Sequence, residues 1–257
     1  MSPRVKVFLT GASSGLGAAL AAHYARQGAT LGLLARRKDR LEAVAAATGA
    51  SAQLYAADVG DTHAVTAAAH DFLARVGLPD IVIANAGVSV GTSGEQLEDI
   101  DVLSELLGTN VVGLAATLAP FVASMRQAGR GTLVGIASVA GFRGMPGSGA
   151  YCASKSAAIT WLESLRLELR GSGVRVVTAC PGYIATPMTA MNPYRMPFLL
   201  SADEAARRIA LAINRGRSLA VIPWQMRLAM LMIRGSPNWL FDRLFARAPR
   251  KPRKLRL

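Results

Sequence analysis

Short apolar runs recur along the chain at 4–9, 30–35, 52–56, 80–84, 131–137 and 174–179, with a further short one at 219–222. Between most of them lie stretches of helix length, rich in alanine and leucine, at 15–27, 38–48, 61–76, 100–127 and 150–171. This alternation predicts βαβ units and an α/β fold built on one doubly wound parallel sheet, with helices covering both faces. Neither a linker nor an internal repeat breaks the pattern, so residues 1–222 read as one domain. Ligands are expected at the carboxyl ends of its strands.

The pattern changes past Pro223. A helix is predicted over 201–215, opened by Ser201 with Glu204 three residues on as a capping box. Residues 223–257 then form an apolar and basic helical extension: a methionine-rich run, Gly235-Ser236-Pro237, and an amphipathic segment at 238–247. The last ten residues mix prolines, bases and leucines and are expected to be mobile. Leu219–Ile233 is the most apolar candidate for a membrane span, but Pro223, Gln225 and Arg227 interrupt it.

Charge sharpens this division. The net charge is +13, with 29 Lys and Arg against 16 Asp and Glu. Between Arg234 and Leu257 eight bases face Asp242 alone, so the excess belongs mainly to the extension. There Trp239, Leu240, Phe241, Leu244 and Phe245 fall on one helical stripe followed by bases. Such a stripe can seat on an anionic membrane as a peripheral contact, or pack against a second copy in a homo-oligomer, or remain a solvated tail. No nucleic-acid-reading motif accompanies the charge, and no nucleic acid is expected as a partner. Cys152 and Cys180 have no metal-ligand spacing and read as apolar fillers, which with the lack of a secretory signal suggests a cytoplasmic protein. His23, His63 and His70 are scattered through predicted helices, and no metal is expected.

The first strand runs into Thr10-Gly11-Ala12-Ser13-Ser14-Gly15-Leu16-Gly17 and then a helix. Glycines allow a sharp turn and close approach to a pyrophosphate, while the helix N-terminus offers free N–H groups and positive dipole. The same cluster could be a tight strand–helix turn, and its spacing departs from the commoner dinucleotide fingerprint. After the second strand stands Ala35-Arg36-Arg37-Lys38, with no acid until Asp39. A carboxylate there would bind the ribose 2′-hydroxyl of NAD; bases favour the 2′-phosphate of NADP(H), unless they only solvate a helix start.

Tyr151 and Lys155 lie four residues apart on one helix face, where an ammonium would favour the phenolate and lower the tyrosine pKa. Ser138 stands thirteen residues earlier, at the end of a strand. Taken with Thr10–Gly17, Asn85-Ala86-Gly87, Asn110 and Pro181-Gly182 with Thr186, in that order and spacing, the sequence closely resembles the classical short-chain dehydrogenase/reductase family over roughly residues 4–190. The resemblance implies a Rossmann-like sheet and a catalytic set of Asn110, Ser138, Tyr151 and Lys155. Tyr151 would exchange a proton with the substrate oxygen, and Ser138 would hydrogen-bond that oxygen. Lys155 would hold the nicotinamide ribose, and Asn110 would support a water relay. It also implies cofactor contacts from Gly11, Ser13, Ser14, Gly15, Leu16 and Gly17, from Arg36 and Arg37, and from Asp58 and Val59 at the adenine. Asn85, Ala86 and Gly87 would line the floor, and Pro181, Gly182, Ile184 and Thr186 the nicotinamide end. Asp58 could instead cap a helix, and Asn110 could be a buried amide at a helix bend.

Met188, Met191, Tyr194, Met196, Pro197, Phe198, Leu199 and Leu200 follow, in the region that covers the substrate in this family, and Gly144-Met145-Pro146 flank the catalytic helix on the same side. This lining suits an apolar or lipid-like carbonyl or alcohol. The function expected is interconversion of a ketone and a secondary alcohol with NADP(H); the alternative is a non-catalytic dinucleotide-binding or scaffold protein on the same fold.

Overall fold

The computed structural model describes residues 4–253. Its seven-stranded sheet joins β1 (Lys6–Thr10), β2 (Thr30–Ala35), β3 (Ser51–Ala56), β4 (Ile81–Ala84), β5 (Thr132–Ile136), β6 (Arg175–Pro181) and β9 (Leu219–Ile222) in the order β3-β2-β1-β4-β5-β6-β9. Every neighbouring pair is parallel. β7 (Ile184–Ala185) and β8 (Leu200–Ser201) form a separate two-stranded parallel pair. The strands sit where the apolar runs predicted them, with ends shifted by one or two residues.

Why the runs are apolar throughout follows from the layers. Val7 and Leu9 of β1 face one core with Leu31 and Leu33 of β2, while Phe8 and Leu34 face the other. The first core is closed by α1 (Gly15–Arg26), α2 (Lys38–Thr48) and α7 (Ala202–Asn214). The second is closed by α3 (Thr62–Arg75), α5 (Gly113–Ala128) and α6 (Gly149–Glu168), with Phe8 meeting Phe72 and Phe121 at centroid distances of 5.4 and 5.1 Å. With both faces dry, polar alternation would place unpaired groups in a core. The sheet order reverses between β1 and β4, and such a switch point opens a crevice at the carboxyl ends of the strands.

Three local features differ from expectation. The stretch predicted as one helix over 100–127 is α4 (Asp99–Leu107), a π-helical turn at Gly108–Val112, and α5. Such a turn inserts an extra residue and re-aims the side chains beside it. The run Asp99–Ala128, rather than 219–233, is the one long and apolar enough to cross a membrane among the described residues, yet its Leu106, Leu118, Phe121 and Met125 are fully buried in the protein. At α7 only half of the capping box forms. Ser201 Oγ accepts the Glu204 N–H at 3.2 Å, but the Glu204 carboxylate turns to Arg207 and Arg208 at 2.8 and 2.6 Å.

The extension departs further. α8 (Trp224–Gly235) and α9 (Asn238–Phe245) are pinned by Arg143, whose guanidinium donates to the carbonyls of Ile233 and Ser236 at 3.2 and 3.1 Å. The same group lies 4.1 Å from the centroid of the Phe241 ring. The stripe expected on one face is therefore split: Phe241 is buried and stacks on Phe245, while Trp239 and Leu244 stay exposed. Residues 250–253, expected to be mobile, pack instead against Gly91 and Gly147, close to the start of α6. Backbone and side-chain bonds over a long sequence separation hold them there; residues 254–257 of that stretch lie outside the described residues.

Candidate active site

The glycine turn is shaped by contacts rather than by flexibility. Gly11 adopts φ +68, and a Cβ there would stand 2.7 Å from the Ala86 backbone. A Cβ on Gly17 would overlap the Gly11 carbonyl oxygen. Asn85 fastens the turn by donating from Nδ2 to the carbonyls of Thr10 and Gly11 at 3.0 and 3.3 Å, and its own N–H reaches Thr10 Oγ1 at 3.2 Å. Thr10, fully buried, is a buttress that sequence reasoning left without a role. Ser14 caps α1 with extended backbone and no side-chain bond to the helix, so the first N–H groups of α1 are left for a ligand.

A cleft of about 510 Å³ opens above this turn. All of Gly11, Ser13, Ser14, Gly15, Leu16, Gly17, Arg36, Arg37, Asp58, Val59, Asn85, Ala86, Gly87, Pro181, Gly182, Ile184 and Thr186 line it, together with Ser138, Tyr151 and Lys155. Met188, expected on the substrate side, lines it too, and so do Val88, Thr109, Ala137 and Thr189, which were not singled out from the sequence. The bases after β2 divide their work. Arg37 Nη2 lies 3.4 and 3.5 Å from the hydroxyls of Ser13 and Ser14, Arg36 pairs with Asp58 at 3.6 Å, and Lys38 turns along α2 to Glu42 at 3.8 Å. Asp58 does not cap α3; that bond is made by Asp61 Oδ1, which accepts the Ala64 N–H at 3.0 Å. The anion-ready helix end, the close-approach glycines and the Arg37–Ser13–Ser14 cluster fit the phosphates of a dinucleotide.

The deeper groups hang on one buried amide. Asn110, 1% exposed in the π-helical turn, accepts the Val88 N–H on Oδ1 at 2.9 Å and donates from Nδ2 to the Val88 carbonyl and Ser154 Oγ at 3.0 and 2.9 Å. Ser154 donates in turn to the Tyr151 carbonyl at 2.8 Å. Asn110 is thus a buried amide at a helix bend that ties the β4 loop to α6, and it does not itself line the cleft. Ser138, at the end of β5, accepts the Ala140 N–H at 3.2 Å and turns its hydroxyl to the Pro181 carbonyl at 3.5 Å, while Lys155 Nζ donates to the Ile136 carbonyl at 2.9 Å.

Burial governs the ionisation here. The Tyr151 phenol is pushed up to about 12 by desolvation, against the pull of the Ser138 hydrogen bond. The sequence predicts the opposite direction, through Lys155. In the structure Lys155 Nζ stands 5.9 Å from the centre of the Tyr151 ring, and burial pushes Lys155 itself down to about 8. Burial likewise raises both thiols, Cys180 to about 12, which suits their reading as packed apolar groups.

Comparison with known proteins places this geometry. The short chain dehydrogenase family profile matches residues 5–195, most of the chain. The chain belongs to the short-chain dehydrogenase/reductase family. It is 40% identical over 237 residues to an uncharacterized oxidoreductase of Myxococcus xanthus, covering 91% of this chain and 93% of that one. Among solved structures it is similar to a short-chain dehydrogenase from Sphingobium yanoikuyae in complex with NADPH, with a TM-score of 0.77, 27% identity, and 95% and 96% of the two chains covered. It is also similar to a 3-oxoacyl-[acyl-carrier protein] reductase with bound NAD from Brucella melitensis, with a TM-score of 0.75, 27% identity, and 86% and 90% covered. As a short-chain dehydrogenase/reductase the chain is an oxidoreductase that uses a nicotinamide dinucleotide.

Lys155 supplies a stability prediction. Its folded value of about 8 lies below the ordinary 10.5, so between those values the unfolded chain binds the proton more readily. The lysine's contribution therefore rises with pH through that window and is lost as pH falls through about 8. Lys155→Met is expected to melt at or above the wild-type temperature at pH 7, and calorimetry should show that margin shrinking as pH is raised toward 10. A Lys155→Met protein less stable at pH 7, with an unchanged difference at pH 10, would contradict this account.

Proposed function

We propose that this chain is an NADP(H)-dependent reductase that converts an apolar ketone to a secondary alcohol, with Tyr151 as the general acid. The observation that carries the reading is the convergence of Ser138, Tyr151 and Lys155 on one cleft whose far end holds Arg37 beside Ser13 and Ser14. A binding module would need the glycine turn and the basic end, but not a serine, a tyrosine and a lysine converging on the same cleft.

When bound, the nicotinamide dinucleotide supplies hydride to the carbonyl carbon, or accepts it in the reverse direction. The chain's residues handle the proton and the oxygen. Ser138 donates a hydrogen bond to the carbonyl oxygen, and Tyr151 transfers its phenolic proton there as negative charge develops. Burial holds that phenol in its protonated form, the form that can donate. Lys155 faces the cleft to hold the ribose, and its charge offsets the phenolate left after transfer. The bases at the β2 end favour NADPH over NADH, with Arg37 the better placed of the two arginines. Met188 lines the cleft, and Met191, Phe198 and Leu199, which follow it in the chain, are exposed; these apolar groups favour an apolar substrate body.

Two sets of variants test this. Tyr151→Phe should retain NADPH binding by fluorescence titration and lose turnover of ketones by about 10²- to 10⁴-fold; a fully active variant refutes the mechanism. Arg37→Ala should weaken NADPH by about 10- to 100-fold, the scale of one charge-assisted contact, and leave NADH nearly unchanged. Equal losses for both cofactors would remove the 2′-phosphate reading, and Arg36→Asp tests its neighbour in the same titration.

Self-association belongs to the same reading. α8 leaves Trp224, Leu228, Leu231 and Met232 exposed, a face we assign to a second copy of the chain. Sedimentation should show a dimer or larger assembly that Leu228→Glu with Met232→Glu dissociates. Flotation of the wild type with anionic vesicles, lost in that variant while it stays monomeric in both forms, would assign the face to a membrane instead.

A further inference from the structure

The strap formed by residues 250–253 brings a second lysine to the catalytic tyrosine. Lys251 is 9% exposed; its Nζ lies 2.6 Å from Ser89 Oγ and 5.8 Å from the centroid of the Tyr151 ring. The strap is firmly held. The Gly91 N–H donates to the Pro252 carbonyl at 3.0 Å, and a Cβ on Gly91 would overlap the Lys251 carbonyl. Arg253 grips the buried Asp99 carboxylate from Nε and Nη2 at 3.0 and 3.1 Å, which holds that carboxyl below its ordinary range. Arg250 packs on Gly147, next to the Gly144-Met145-Pro146 segment on the substrate side of the catalytic helix.

Lys251 is unlike the other bases of the extension. Arg253 has its carboxylate, and most of the rest are exposed. Among the described residues no carboxylate lies within ion-pair distance of Lys251, and its one hydrogen-bond partner is a neutral hydroxyl. An ammonium has three donors, so two remain to be filled. A buried charge without a counter-charge is costly, and burial lowers Lys251 to about 8. Such a group beside a reacting centre is the signature of a binding role. Lys155 meets Tyr151 from the cofactor cleft that it lines, whereas Lys251 lies outside the lining of that cleft and comes from the strap.

We propose that Lys251, with Ser89, forms an anion subsite for the substrate: the carbonyl compound carries a carboxylate that Lys251 pairs while Tyr151 serves its carbonyl. This rests on the reductase reading above and narrows its substrate class from an apolar ketone to an apolar keto acid. The strap is then a wall of the active site, and its lysine sets specificity by charge.

The test compares a keto acid with its methyl ester, at matched chain length, in the NADPH-loaded full chain. Wild type should favour the acid. Lys251→Met should lower kcat/KM for the acid by about 10- to 100-fold, mostly through KM, and leave the ester unchanged, while Lys251→Arg keeps the preference. A parallel fall for acid and ester, or a wild type indifferent to the carboxylate, overturns the subsite. Lys251→Gln gives the same comparison if the methionine variant does not fold. A readout without turnover separates this from the reductase reading. The saturated acid, lacking the keto group, should raise Tm for wild type and Lys251→Arg but not for Lys251→Met. If it does so while neither ketone is reduced, the subsite stands and the reductase reading falls; if it stabilises all three alike, the subsite falls.

Discussion

The buried ammonium of Lys155 sets the terms for everything around it. A lysine at 4% exposure is disfavoured in its charged form, and the Ile136 carbonyl offers it a single hydrogen bond. Keeping the group there requires that nothing apolar crowd it and that the helix carrying it be fixed. Gly87 meets the first condition, since a Cβ there would lie 3.4 Å from Lys155 Nζ and 3.0 Å from Asn110 Oδ1. Asn110 meets the second by bonding both the β4 loop and Ser154, one residue before Lys155. The destabilising charge is thus tolerated because the surrounding polar groups are satisfied by one another, a common arrangement where strain is stored for function.

That constraint explains the irregularity of the helix behind it. The π-helical turn at Gly108–Val112 presents the Asn110 amide to two neighbouring elements at once. The parallel sheet supplies the rest of the geometry. Its carboxyl ends deliver Thr10, Asn85, Ser138 and Pro181 to one rim, so that the glycine turn, the β4 loop and the catalytic helix share partners. Asn85 locks the first of these to the second, and Asn110 locks the second to the third. The glycine turn and the Ser138, Tyr151 and Lys155 cluster are consequently one mechanical unit rather than two adjacent sites.

Much of this unit was legible in the sequence because its determinants are local. The order of apolar runs predicts the sheet, and the sequence motifs name the residues from Gly11 to Thr186 that line the cleft. What local pattern could not supply is the balance of burial against charge. Four-residue spacing puts Tyr151 and Lys155 on one face, yet says nothing about how dry that face is, and dryness reverses the expected direction for the phenol. The π-helical turn was equally hidden, because its residues continue an ordinary apolar helical period. Lys38 shows the converse: it stands in the basic run after β2 but leaves the cleft for Glu42, a choice made by helix geometry.

The extension shows why charge read along a chain misleads. Its bases look interchangeable in sequence, and a tail of prolines and lysines reads as solvated. The structure sorts them by partners more than 150 residues away: Arg253 meets Asp99 across a separation of 154 and Lys251 meets Ser89 across 162. Arg143, from the loop before α6, holds the end of α8 through the carbonyls of Ile233 and Ser236, an arrangement that favours a cation at a helix C-terminus. The chain end is then carried back toward α6, so that a segment of low apparent information sets Lys251 Nζ 5.8 Å from the centre of the Tyr151 ring.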